Sequence, residues 1–319
     1  MSSMKSHFKE RFGSNENFSL LPPLPNSLNI ELNNTCNHKC IFCGLHGPYA
    51  PPMKLCVMDL DFVKKILIQA KELGIGEKEV GFYLAGEPLL YDKFVDVIRF
   101  AKELGFKYTF ITTNGVLAKP KIMKEVIDAG LDSIRFSINA SDKETYKIIH
   151  GKDDFDVVLD NIRFLHDYLN KMKKHINTSI SYVVTKKTES GIKKMKELFG
   201  SMVDDILFIP VMHLNKLNLD LDHEYSIIKE TNENKKLMCP IIFNTMYINS
   251  DAKVKLCCTT YQNSLYIADL KKELDLKAAW ESPIYKKYRK AFLDNDVSNT
   301  LCEDCILRTQ GVSRMFIEN

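Results

Sequence analysis

The sequence predicts an α/β fold in which a parallel sheet is wrapped by helices, followed by a smaller α+β segment at the C-terminal end. Short β-branched runs alternate with amphipathic helical stretches six times from Ser27 onward, and beyond Cys239 the alternation gives way to a hairpin pattern. With 319 residues and 45% hydrophobic content, the chain can bury one sizeable core and a small appended domain.

The elements follow in order. Leu28 to Leu32 is the first expected strand; after a cysteine loop, a helix opens near Asp59 with Phe62, Ile66, Ala70 and Leu73 on one face. Val80 to Leu84 is the second strand, and its helix runs through Phe94, Ile98 and Ala101 to a stop at Gly105. Tyr108 to Thr112 and Ser133 to Ile138 are the third and fourth strands, with a helix from Lys121 to Ala129 between them. A helix from Phe155 to Asn170, a strand from Thr178 to Val184, a helix from Gly191 to Phe199 and a strand from Ile206 to Pro210 complete the set. Six β/α units are too few to close an eight-stranded barrel. The expected divisions are an N-terminal extension (1–27), a core (28–214), a polar linker or insertion (215–236) and a C-terminal domain (237–319).

A net charge of +3 is too slight to argue for nucleic acid or an anionic membrane surface as partner. Met1 to Leu28 has no apolar stretch of signal-peptide length and no run of eighteen apolar residues occurs, so a cytoplasmic protein is expected. In a reducing compartment, nine cysteines point to metal or redox chemistry rather than disulfides.

The first cysteines stand in the run Cys36-Asn-His-Lys-Cys40-Ile-Phe-Cys43. A four-iron cluster normally takes four thiolates, so this loop either lacks a ligand or keeps one iron open for a substrate. A zinc site built with His38 needs a residue two positions from either cysteine to close a tetrahedron, which is tight. Three buried structural cysteines fit a polar loop poorly. The spacing, with an aromatic at Phe42, resembles the cluster motif of the radical S-adenosylmethionine (SAM) enzymes. That resemblance implies an open, partial (β/α)6 TIM-like barrel with the cluster and SAM at the C-terminal ends of the strands.

Further motifs follow in the family's order. Ala85-Gly86-Glu87-Pro88 resembles the family's Gly-Gly-Glu motif, which binds the SAM amino group; Ala85 replaces its first glycine. Thr112-Thr113-Asn114-Gly115 reads by itself as a polar turn. Ser137 and Asn139 share a face by the two-residue strand period and offer a hydroxyl and an amide to a ribose. The resemblance implies SAM contacts at Ser137, Asn139 and Asn114, with Phe42 near the adenine.

Cys239, Cys257, Cys258, Cys302 and Cys305 form the second group. Thiolate spacing does not choose zinc over iron. Met246 to Ile248, Asn249-Ser-Asp251 and Val254 to Cys257 read as a hairpin, followed by helices through Ala278 to Trp280 and through Tyr288 and Phe292. This layout resembles the twitch domain, a shortened SPASM domain whose four cysteines hold one auxiliary 4Fe-4S cluster. The resemblance implies Cys239, Cys302, Cys305 and either Cys257 or Cys258 as ligands, Cys257 being preferred because it ends the hairpin strand. Cys56 and the unused member of the Cys257–Cys258 pair are left as structural or incidental.

The whole layout is similar to radical SAM dehydrogenases such as 2-deoxy-scyllo-inosamine dehydrogenase. It implies two 4Fe-4S clusters, SAM, a flavodoxin- or ferredoxin-type reductant and oxidation of a carbinol C–H in a sugar or aminocyclitol. A peptide maturase acting on a precursor peptide is the alternative within the family, and a zinc-stabilised binding protein is the alternative outside it. No general base is assigned; His213, Tyr182 and Arg135 are candidates by position only.

Overall fold

The β-branched runs form a sheet in the order in which they occur. In the computed structural model, which describes residues 18–210, 239–258 and 265–303, six consecutive strands lie side by side and parallel: β1 (Ser27–Ile30), β2 (Glu79–Gly81), β3 (Thr109–Thr113), β4 (Ser133–Ser137), β5 (Asn177–Val184) and β6 (Asp205–Pro210). The sheet does not close. On the free side of β1 it continues through β7 (Thr245–Ile248), β8 (Lys253–Lys255) and β9 (Tyr266–Asp269), giving nine strands in the order β6-β5-β4-β3-β2-β1-β7-β8-β9. β7 runs parallel to β1, and β8 and β9 are antiparallel additions. The architecture is an open, partial (β/α)6 barrel with a small C-terminal domain whose hairpin extends the barrel sheet.

The helices between the strands are α1 (Leu60–Leu73), α2 (Phe94–Glu103), α3 (Pro120–Asp128), α4 (Lys143–His150), α5 (Phe155–Met172) and α6 (Ile192–Phe199). α1 starts where the Asp59 carboxylate accepts the Phe62 N–H, and stops at Gly74 in the left-handed region at φ 72°. Its buried face, Val63, Ile66, Leu67 and Ala70, is the stripe its 3.6-residue period predicts. α4 does not figure among the expected elements. It is a short helix with only Tyr146, Ile149 and His150 buried, capped by Asp142 and stopped at Gly151. β9 is likewise an additional strand beyond the expected hairpin.

In the C-terminal domain, α7 (Ile241–Asn244) leads into β7, and α8 (Leu276–Trp280) and α9 (Pro283–Leu293) pack behind the hairpin. Arg289 of α9 is fully buried and its guanidinium lies 4.1 Å from the Trp280 ring and 4.6 Å from that of Tyr285. It donates to the backbone carbonyls of Ile242 (3.0 Å), Trp280 (2.9 Å) and Leu20 (3.4 Å), so one fork ties α7, α8 and the chain before β1 together. Gln69 of α1 joins the domains at a second point, donating to Leu274 O at 2.7 Å and accepting from Leu276 N at 2.8 Å.

His213, Cys305, the segment 215–236 and residues 1–17 lie outside the described residues. No helix among the described residues is long and apolar enough to cross a membrane.

Arg289→Ala is expected to destabilise the protein by about 3 kcal/mol, because it strips charge-assisted bonds from the buried carbonyls of Ile242 and Trp280 and a part-buried one from Leu20 O. Arg289→Lys restores only part of that loss, since an ammonium cannot reproduce the planar fork. Denaturant unfolding of both variants checks this ordering.

Candidate active site

The cysteine loop leaves the C-terminal end of β1, an interior strand between β2 and β7. Glu31, which follows that strand, is 3% exposed. Its carboxylate accepts from Ser250 N (3.1 Å) and Ser250 Oγ (2.6 Å) of the β7–β8 turn and from Ala85 N (2.9 Å) of the loop after β2. Burial raises the Glu31 carboxyl above its ordinary range, and these donors, with the Lys255 ammonium, oppose the rise.

Cys36, Cys40 and Cys43 come together, none in a disulfide, and each sulfur meets a nitrogen. His38 N donates to Cys36 Sγ at 3.5 Å and His46 N to Cys43 Sγ at 3.4 Å, while His150 Nδ1 lies 3.4 Å from Cys40 Sγ. The loop turns tightly enough that a Cβ on Gly47 would meet the carbonyl oxygen of Cys40 at 2.7 Å. Burial pushes the Cys36 thiol up to about 11 and raises that of Cys40 as well. Thiols so placed stay protonated unless a metal holds them as thiolates. Converging sulfurs with N–H donors fit an iron–sulfur cluster.

His38, weighed above as a zinc ligand, turns its Nε2 to Asp154 Oδ2 at 3.2 Å. With Cys40 and His150 it forms a group whose donor atoms lie within 4.8 Å of one another. Yet His150 Nε2 accepts the Asn139 backbone N–H at 3.0 Å, so its lone pair is already used. Burial pushes the His150 imidazolium down to about 3 and lowers that of His38, so both rings are neutral near pH 7.

The Ala85-Gly86-Glu87-Pro88 turn follows β2 as expected. A Cβ on Gly86 would run into the carbonyl oxygens of Asn33 and Thr35, so only glycine fits against the cysteine loop. Glu87 is 2% exposed; Thr113 Oγ1 (2.7 Å) and Leu89 N (3.1 Å) donate to its Oε1, and Asn114 N (2.8 Å) to its Oε2. Burial raises the Glu87 carboxyl and these donors counter the rise. Oε2 keeps an acceptor position beyond the Asn114 bond. Asn114 Nδ2 donates to Asn37 Oδ1 at 2.7 Å, linking the end of β3 to the residue beside Cys36.

Ser137 ends β4 half-buried, and Phe42 is half-buried in the loop. Asn139 is buried and its Oδ1 accepts from Val183 N at 2.8 Å, so its side chain holds β5. Tyr182 is fully buried and its hydroxyl donates to Thr188 O at 2.7 Å, which places it away from a proton-transfer role. Arg135 is buried within β4. Cys56 donates its backbone N–H to Asn34 Oδ1 at 2.7 Å, and its side chain lines a cavity.

That cavity, of about 350 Å³, opens between the cysteine loop and the C-terminal hairpin. Glu31, Asn34, Gly44 and Ala85 line it from the barrel, and Lys255 and Cys258 from the hairpin. Lys255 is 4% exposed, and burial lowers its ammonium against the pull of Glu31. On the hairpin side Cys239 is flanked by Cys257, Cys302 and Cys258, all of which, after burial itself, push its thiol up. His150, Glu31 and Lys255 did not emerge from the sequence; only the Asp142 cap and the Gly151 stop signal around α4 pointed to the helix that carries His150.

Because His38 and His150 are held neutral in the fold, the unfolded chain takes up more protons as pH falls below about 6.5. Stability of the apoprotein is therefore expected to drop on acidification from pH 6.5, by up to about 1.4 kcal/mol per pH unit for each histidine. Urea unfolding of wild type and His150→Leu at several pH values checks this, the variant giving the shallower slope.

The profile of the Radical SAM superfamily matches residues 30–199, and that of an iron-sulfur cluster-binding domain, SPASM, matches residues 239–306. A protein of Saccharolobus islandicus (strain M.14.25 / Kamchatka #1) named "Probable GTP 3′,8-cyclase" is 28% identical over 247 residues, 76% of either chain. SuiB of Streptococcus suis, in a structure bound to S-adenosylmethionine, superposes with a TM-score of 0.65 at 18% identity, covering 84% of this chain and 68% of that one. BtrN, in a structure with AdoMet and 2-DOIA, gives 0.53 at 14% identity, covering 84% and 87%. The cofactors are accordingly SAM and 4Fe-4S clusters. The chain belongs to the radical SAM superfamily and is a radical SAM enzyme with a C-terminal SPASM-type iron–sulfur domain.

Proposed function

We propose that this enzyme is an oxidoreductase that removes hydrogen from a carbinol carbon of a polyhydroxylated small molecule of the sugar or aminocyclitol type, with an auxiliary cluster accepting the second electron. In this reading Cys36, Cys40 and Cys43 hold the SAM-binding cluster, and Cys239, Cys257, Cys302 and Cys305 the auxiliary one. When bound, the first cluster and SAM supply a 5′-deoxyadenosyl radical. Glu87 orients the SAM amino group through the acceptor position left on Oε2, and Ser137 and Asn114 border the same strand ends. A secondary alcohol that gives up a hydrogen atom, a proton and an electron becomes a ketone.

The observation that carries the proposal is the cavity, which both cysteine-bearing segments line and whose size suits a small molecule. Lys54 and Lys255 stand against Glu31 and Asp251 among its lining residues, so its charge is balanced, and Asn34 and Asn249 add amide donors and acceptors. A neutral or singly charged, hydroxyl-rich ligand matches such walls. The nucleoside triphosphate implied by the cyclase relatives calls for a cationic cluster, and among the described lining residues there is no arginine. The structure of SuiB bound to the precursor peptide SuiA keeps a peptide substrate in the test.

The experiment incubates reduced enzyme and SAM with a panel of sugars and aminocyclitols deuterated at the carbinol carbon. Deuterium transfer into 5′-deoxyadenosine, with one ketone per 5′-deoxyadenosine, is expected; a cyclised GTP, a modified peptide or a product at unchanged oxidation level overturns the reading. Replacing Cys36, Cys40 and Cys43 together by Ala is expected to halve the bound iron, from roughly eight to roughly four per chain, as read by iron and sulfide analysis after anaerobic purification.

A further inference from the structure

The C-terminal end of α4 is built against the cysteine loop. Lys39 N donates to His150 O at 3.2 Å and Ile41 N to Ile149 O at 2.9 Å, so the last carbonyls of the helix brace the loop on both sides of Cys40. The His150 ring is 1% exposed, lies stacked on Tyr146 at 4.1 Å, and meets the His38 ring edge-on at 5.3 Å. It has no room to turn.

Its two nitrogens are assigned by their neighbours. The Asn139 backbone N–H can only donate, and it points at Nε2 from 3.0 Å. Nε2 therefore carries the lone pair, and the proton of the neutral ring sits on Nδ1, which faces Cys40 Sγ at 3.4 Å. A protonated ring would set two N–H groups against each other at Nε2. His38 N and His46 N stand at the other two sulfurs, and Asn114 adds a side-chain donor at Cys36; at Cys40 the facing side-chain group is the His150 ring.

We infer that His150 is a positioning residue for electron transfer, whose Nδ1–H, fixed by the Asn139 backbone N–H, donates to the Cys40 thiolate and sets the reduction potential of the SAM-binding cluster. A donor at a ligating sulfur stabilises the electron-rich state, so it raises the potential and makes the cluster easier to reduce. The inference rests on the superfamily membership and is independent of the substrate reading. Its sequence element is the run Tyr146-Lys-Ile-Ile-His150-Gly151, which supplies the stacking ring, the donor and the helix stop.

The test uses reconstituted full-length wild type, His150→Leu, His150→Asn and His150→Gln, titrated against potential and followed by electron paramagnetic resonance. The SAM-binding cluster is identified as the signal that changes when SAM is added. At the potential where the wild-type cluster is half reduced, the Leu variant is expected to show a reduced-to-oxidised ratio about tenfold lower, equal to ~59 mV for one electron. The Asn variant, whose amide N–H stands near the position of Nδ1–H, is expected to stay within about twofold of wild type, and Gln, whose amide reaches the Nε2 position, to follow Leu. Equal potentials in wild type, Leu and Gln overturn the inference. Should the Leu variant not retain its cluster, the Asn and Gln variants decide: a higher potential in Asn supports it, and equal potentials overturn it. Loss of the cluster from the Asn variant as well overturns it, because His150 would then act through shape alone.

Discussion

The geometry of this enzyme depends on what is placed beside β1. β7 pairs parallel with it in register, Ser27 with Thr245 through Ile30 with Ile248, so a segment more than two hundred residues away continues the barrel sheet. The Glu31 carboxylate then fastens the loops that leave these strands, taking donors from Ser250 on the hairpin turn and Ala85 on the SAM-motif loop. A buried carboxylate is costly unless every lone pair has work. Here it is retained where the barrel and the C-terminal domain meet, and its removal would release the Ser250 turn and the Ala85 loop together. The cavity opens directly beside it.

Around the cysteine loop the same economy recurs. Glu87 accepts from Thr113 and Asn114, Asn114 donates to Asn37, and Asn33 Nδ2 returns to Glu87 O at 3.1 Å. The loop is thus positioned by a web of hydrogen bonds from β1, β2 and β3 and by the end of α4. Such preorganisation matters for radical chemistry, where the protein supplies orientation and exclusion of water while the cofactor supplies reactivity. Gly86 belongs to the web by its lack of a side chain, since the backbone of Asn33 and Thr35 occupies the space a Cβ would need.

Much of this was legible in the sequence because it is local. The six strands appear where β-branched runs stand, within a residue or two except that β1 and β2 end earlier than their apolar patterns, and Cys36, Cys40 and Cys43 meet as their spacing implies. α4 was overlooked because an eight-residue helix with few apolar positions leaves almost no periodic signal, although its Asp142 cap and Gly151 stop were readable. Asn139 lies past the end of β4 at Ser137, and its Oδ1 accepts from Val183 N, a cross-strand bond that alternation alone does not reveal. Glu31 carries no motif of its own, and its partner Ser250 is 219 residues away. Pairings of that kind follow from topology, which no local pattern encodes.

In the proposed enzyme one continuous sheet holds two cysteine-bound iron clusters on either side of a shared, charge-balanced cavity. A crystal structure of anaerobically purified enzyme with SAM, with iron located by anomalous scattering, tests it most directly. The expected result is one tetra-iron cluster at Cys36, Cys40 and Cys43 with SAM on its open iron, a second tetra-iron cluster held by Cys239, Cys257, Cys302 and Cys305, and the cavity at Glu31 and Lys255 between them. Zinc at the second cysteine group, or two clusters with no cavity between them, would contradict it.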